Sequence, residues 1–307
     1  MAILEETSSG PEPTAVELGL ESAEKPRSMF ARGWEVFAEN KLALAGLAMM
    51  IFMILFCFVG PHLYHTDQVH TNLLTTNLPP GRGRPLGTDQ NGFDILGRLM
   101  AGGQVSIEVS IAIALVATGI GALYGAVSGF FGGALDTVMM RIVDIGLAVP
   151  VIFLFILLSV IYRPTKVLLI ALLAGLAWLG PARLVRGETL SLRTREYVQA
   201  VRSMGGGSRR IILRHIVPNA IGTIVVNATF QIADAILILA TLEYLGFSLP
   251  FPIATWGSML SGGVAFLQDG YWWEVYPVLI AIVLTVVSFN FIGDALRDSL
   301  DVRMRQR

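Results

Sequence analysis

The chain has 307 residues, of which 54% are hydrophobic and only 15% charged, and its mean hydropathy is +0.65. That balance excludes an ordinary soluble globular domain and points to a polytopic membrane protein. The net charge of -1 says little, so the placement of the 22 Lys and Arg residues carries the information.

Residues 1–40 read as a cytoplasmic tail, because "EETSSGPEPTAVELGLESAEKPRS" has few apolar anchors and many breakers. At its end, Phe30, Trp34 and Phe37 fall at helical spacing, as an interfacial helix or as a plain lead-in to the first span. Six stretches are apolar enough to cross a hydrocarbon core of ~30 Å. They are residues 42–60, 105–130, 145–162, 167–183, 220–245 and 275–296. The first is uncharged and begins too far from residue 1 for a cleavable signal, so it reads as an anchor that stays.

The expected organisation is a first transmembrane helix over 41–60, an extracytoplasmic loop over 61–103, a membrane core over 104–297 and a cytoplasmic tail over 298–307. Within that core, residues 184–218 form a long cytoplasmic loop. The stretch "LPPGRGRPLGTD" in the 61–103 loop is too rich in Pro and Gly for regular structure. His62, His65 and His70 lack carboxylates at ligand spacing, so no metal site is expected, and the lone Cys57 reads as a small buried hydrophobe. With the N-terminus inside, 17 of the 22 basic residues are cytoplasmic and five are outside. The expected fold is therefore an all-α polytopic membrane protein with six transmembrane helices, N-in and C-in.

The segment "EYVQAVRSMGGGSRRIILRHIVPN" (196–219) is the most distinctive in the chain. Its first half is helical by pattern, with Tyr197, Val201, Ala200 and Met204 on an apolar face and Gln199, Arg202 and Ser203 opposite. Gly205, Gly206 and Gly207 then interrupt the helix. Ser208 is expected to cap a second short helix, with Ile211, Ile212, His215 and Ile216 on one face and Arg209, Arg210 and Arg214 on the other. Pro218 is expected to drive Val217 out of the helical region, leaving Asn219 to cap the fifth span. A loop that only fixes topology or touches anionic lipid needs the Arg residues, but needs neither the Gly hinge nor the Pro.

In the fifth span Thr223, Asn227, Gln231 and Asp234 share one face. A mid-span carboxylate costs about 2.5–3.5 kcal/mol unless it meets water or a partner. That stripe is read either as the lining of a wet cavity or as an interhelical hydrogen-bonding seam to a partner chain. Asp144 is expected to pair with Arg141 at the cytoplasmic edge. An intramembrane aspartyl protease is disfavoured because "FIGD" (291–294) lacks the first Gly of its motif, and a secondary transporter because no inverted repeat is found.

Gln199, Ala200 and Val201, then Gly205, then Pro218 resemble the Glu-Ala-Ala signature loop of the membrane subunits of ABC importers, with Gln for Glu and Val for the second Ala. "PLGTDQNGFDILGRLMAGGQVSI", "GGALDTVMMRIVDIGLAVP", "LEYLGFSLPFPIATWGSML" and "FNFIGDALRDSLDVRMR" occur in the order found in permeases of the dipeptide and oligopeptide group, which the chain from about 85 onward resembles. The resemblance implies a type I ABC importer permease fold in a bacterial plasma membrane, surrounded by lipid. It also implies a homologous second permease, two ATPase subunits or domains and an extracytoplasmic substrate-binding protein, with no nucleic acid partner. It assigns ATPase docking to Gly205–His215, with Arg209, Arg210 and Arg214 at the rim and Ile211 and Ile212 in apolar contact. None of the three lysines lies in a phosphate-cradling loop, so the chain is expected to be non-catalytic and without a cofactor, ATP and Mg²⁺ sitting on the partner ATPases. The group commonly carries an acid at the position of Leu239, which leaves the ligand open among peptides, nickel chelates, glutathione, haem and antimicrobial peptides.

Overall fold

The computed structural model describes residues 37–305, apart from 151, 155–156, 158–160 and 162–164. Helix α1 (Lys41–Ile54) starts under Asn40, whose Oδ1 accepts from the backbone N–H groups of Leu42 and Ala43 at 3.0 and 3.2 Å. It widens into a π-helical turn, Leu55–Val59, and ends as Gly60–Leu63. Gln104 Nε2 donates to the Cys57 carbonyl of that turn at 2.9 Å, tying it to the next helix.

Helix α2 (Ile95–Phe131) has 37 residues and is about 55 Å long at 1.5 Å per residue. It begins at Ile95 rather than at 105, because Gly97, Arg98, Gly102 and Gly103 break the apolar run that marks a span. The signal that was present is Asp94, whose Oδ1 accepts from the Gly97 N–H at 2.9 Å as an N-cap. After Gly132 comes α3 (Gly133–Ala148), and the expected span over 145–162 falls partly outside the described residues.

Helices α4 (Lys166–Ala177) and α5 (Leu179–Leu192) meet at a 42° bend. Pro181 lies near the end of the expected fourth span, 167–183, and α5 runs through it. Pro181 lies in the first turn of α5, where no backbone N–H is needed for the ladder. The short helices α6 (Glu196–Ser203) and α7 (Ser208–Ile211) form a hairpin, and α8 (Ile221–Tyr244) follows. Helix α9 (Trp256–Val264) opens on a reciprocal Thr255/Ser258 capping box, and α10 (Tyr276–Arg305) closes the described chain. Among the described residues, four helical stretches are long and apolar enough to cross a membrane, Lys41–Leu63, Ile95–Phe131, Ile221–Tyr244 and Trp272–Leu300, and the bent α4–α5 pair makes a fifth when counted as one span.

Helix α2 is the axis of the bundle. On one side Met53, Cys57, Ile236, Trp256 and Val278 join α1, α8, α9 and α10 around it. Trp256 is fully buried, its indole N–H donating to the Leu99 carbonyl and its backbone N–H to Ser106 Oγ, both at 3.1 Å. On another side Val109, Ile113, Leu169, Leu173 and Leu239 join α4 and α8. Leu239 is 1% exposed, so an acid at that position would sit in an apolar core of this chain. Toward its C-terminal end α2 meets α5 across Gly121, Gly125 and Gly129, where a Cβ at Gly125 would run into the Ala182 carbonyl. This spacing of small residues lets two backbones approach closely, as helix pairs in lipid require.

Candidate functional site

The hairpin is seated by its buried face. Val198 on α6 and Ile211, Ile212 and Ile216 beyond the turn pack on Ala122, Ala126 and Val185 of α2 and α5. Ile211 and Ile212 are 1% and 6% exposed, so they hold the hairpin to its own bundle rather than face outward. Most of the expected apolar face of α6 points away from the bundle. Val198 is buried and Val201 half-buried, whereas Tyr197, Ala200 and Met204 are exposed, Met204 by 79%. Leu213 is also exposed, as are Arg202, Arg209, Arg210 and Arg214, while His215 is half-buried.

Three local expectations are corrected. Gly207, not Ser208, is the N-cap of α7. Val217 stays helical at φ -57°, ψ -44°, because a π-helical turn over Ile212–Ile216 precedes Pro218 and accommodates a residue without an N–H. Asn219 does not cap α8; its Nδ2 donates to the His215 carbonyl, and Ala220 is the N-cap. Gly205 does interrupt the helix as expected, at φ +81°, a conformation that L residues with a side chain rarely adopt. Gln199 Nε2 donates to the Arg193 carbonyl at 3.2 Å, a bond that a Glu carboxylate there cannot make.

Beside the hairpin lies a clamp that the sequence reading missed. Arg186 of α5 donates through Nε and Nη2 to the two carboxylate oxygens of Asp136 in α3, at 2.6 and 2.7 Å. Ser128 of α2 donates to the same carboxylate, and Arg193 Nη1 donates to the Gly129 carbonyl at 2.9 Å. Arg186 and Arg193 counted only as topology charges in the sequence, since Asp136 lies fifty residues from its partner. These bonds, Arg186 foremost, hold the Asp136 carboxyl below the usual aspartate range. The resulting stability is therefore present at neutral pH and is lost as the pH falls through the depressed value.

Arg186→Ala is expected to cost about 1–2 kcal/mol, allowing for solvent at the half-exposed guanidinium. The check is the thermal midpoint in detergent, with Arg186→Lys recovering only part because it cannot bond bidentately. Asp144 pairs with Arg183 at 2.6 Å and not with Arg141.

Along α8 the core side is Ala233, Ile236 and Leu239. Thr223, Asn227 and Gln231 are half-buried, Asp234 is exposed, and the enclosed Asn227 Oδ1 accepts no hydrogen bond. The polar stripe therefore lies off the chain's own core. Glu243 is 1% exposed and its Oε2 accepts from the Gly257 N–H at the start of α9, 3.2 Å away. His70 pairs with Asp67 at 2.8 Å, and among the described residues no cluster of three metal-ligating side chains occurs.

Long apolar helices around one central rod, with a basic hairpin seated on its end, are the architecture of a multi-pass membrane protein. Residues 119–306 match the family described as binding-protein-dependent transport system inner membrane component, and residues 28–80 match the N-terminal TM domain of oligopeptide transport permease C. The chain belongs to this family of ABC importer permeases. It is 38% identical over 297 residues to the oligopeptide transport system permease protein OppC of Bacillus subtilis, covering 96% of this chain and 97% of that one. It is 35% identical over 287 residues to the dipeptide transport system permease protein DppC of the same organism, covering 93% and 90%. With the OppC protein of Haemophilus influenzae it shares 38% over 281 residues, covering 91% and 90%.

Proposed function

We propose that this chain is one permease half of an ATP-driven peptide importer in a bacterial plasma membrane, with six spans and both termini in the cytoplasm. The observation that carries the reading is the outward face of the hairpin. Tyr197, Ala200 and Met204 share an exposed apolar face of α6, on a hairpin whose Arg202, Arg209, Arg210 and Arg214 are exposed as well, while Val198 is fixed to α2 and α5. An apolar face on a basic hairpin suits a partner's groove. The partner is an ATPase subunit, where ATP and Mg²⁺ bind. The docking contacts pass from Ile211 and Ile212 to the α6 face and the turn after it.

Helix α8 turns its polar stripe toward a pathway shared with a homologous second permease, and an extracytoplasmic binding protein delivers the ligand. Peptides are preferred over nickel chelates, glutathione, haem or antimicrobial peptides because the relatives are named for dipeptides and oligopeptides. Affinity purification of the tagged chain is expected to bring down a second permease and ATPase subunits. A lone chain that transports without ATP would overturn the reading. Asp234→Ala is expected to lower peptide uptake about tenfold, the equivalent of one charged hydrogen bond, without releasing the ATPase. Unchanged uptake would remove Asp234 from the pathway.

A further inference from the structure

At the end of α2 opposite the hairpin, the 64–94 loop, the α8–α9 connection and the turn before α10 enclose a partly open cavity of about 190 Å³. Asp89, Arg98 and Glu274 supply its charges, Gln90 and Ser258 lie among them, and Leu249, Phe251 and Met259 form an apolar wall. The first two charges are spoken for. Asp89 Oδ1 accepts from the Asn91 and Phe93 N–H groups at 2.9 Å, and its Oδ2 faces Arg98 Nε at 3.4 Å. Arg98 also lies over the Phe93 ring, 4.3 Å from its centre.

Glu274 is different. It is 3% exposed, yet neither carboxylate oxygen has a hydrogen-bond partner, and among the described residues no cation lies within ion-pair distance of it. Arg98, 7% exposed, likewise keeps Nη1 without an acceptor. Native proteins rarely leave buried polar atoms unpaired, and an enclosed acid without a partner is especially costly. One cavity thus offers two acceptors on Glu274, one donor on Arg98 and an apolar wall. A divalent cation fits poorly, because only two carboxylates face the cavity and an arginine lies against one of them.

We propose that this cavity binds the amino-terminal residue of a peptide. The ammonium sits on Glu274, the first carbonyl oxygen on Arg98 Nη1, and the first side chain against Phe251, Leu249 and Met259. The choice of a peptide rests on the importer reading above, but binding is measured without transport, so each can fail alone.

The test uses the full chain in lipid nanodiscs with alanyl-leucine and its N-acetyl derivative, titrated calorimetrically. The free dipeptide is expected to saturate one site, with at least tenfold weaker binding of the acetylated form and at least tenfold loss in Glu274→Gln. Glu274→Asp, which keeps the charge on a shorter arm, is expected to bind in between. Thermal midpoints confirm that each variant is folded. Equal affinity for the two dipeptides, unchanged affinity in folded Glu274→Gln, or no saturable binding would overturn the proposal. Saturation by n-butylammonium with no competition from the dipeptide would overturn it as well. Failure of the chain to bring down ATPase subunits, with dipeptide binding intact, would fail the importer reading alone.

Discussion

Gly125→Leu is expected to leave almost no folded protein, with the membrane-extracted chain losing its cooperative thermal transition. The expectation follows from the α2–α5 seam. Gly121, Gly125 and Gly129 recur every fourth residue, and each faces backbone or Cβ atoms of α5 with no room for a side chain. Overpacking a flexible core costs about 1–3 kcal/mol, but here the obstacle is the Ala182 carbonyl, which cannot rotate away without breaking its own helix. The helices must separate, which also pulls Arg186 from Asp136 and lifts Val185 from under Ile211. Gly119, with nothing near its absent Cβ, is the internal control, and Gly119→Leu is expected to be close to neutral. If the two leucine variants melt alike, the seam does not hold the bundle.

Gly205→Pro is expected to leave membrane insertion intact and reduce transport-linked ATP hydrolysis to the uncoupled background. Gly205 sits at φ +81° and its N–H donates to the Arg202 carbonyl at 3.1 Å. Proline fixes φ near about -65° and has no N–H, so neither feature survives. The spans are untouched, because the change lies in an exposed turn. What changes is the angle between α6 and the seated α7, and with it the position of the Met204 patch. Gly205→Ala keeps the N–H and bears only a left-handed penalty of about 1–2 kcal/mol, so partial coupling is expected. Met204→Asp is expected to match Gly205→Pro in lost coupling while leaving the hairpin seated. A reconstituted Gly205→Pro complex with normal transport-linked hydrolysis would sink the idea.

Much of the fold was legible because lipid imposes a coarse code: long apolar runs located α1, most of α2, α8 and α10. The start of α2 was hidden because its first turns leave the apolar pattern, where Gly97 and Arg98 serve a cap and a buried pair. The hairpin was legible as two helices about a glycine, but its orientation was not. Amphipathicity separates two faces without saying which meets the bundle. On α6 the apolar stripe of Tyr197, Ala200 and Met204 points out, and Val198 and part of Val201 point in. Pro218 was misread for a different reason, since a proline ends a helix only if the backbone before it keeps α geometry, and here it widens. The Asp136–Arg186 clamp and the Glu274 cavity were beyond reach because each joins residues far apart in the chain that no local pattern relates.

Helix α2 is nearly twice as long as a hydrocarbon layer is thick, and both special regions of the molecule hang on its two ends. An unbroken rod that tilts as a whole about a point along its length moves like the beam of a balance. Any tilt that carries the Ala126 end one way carries the Arg98 end the other way, with no signal passed from residue to residue.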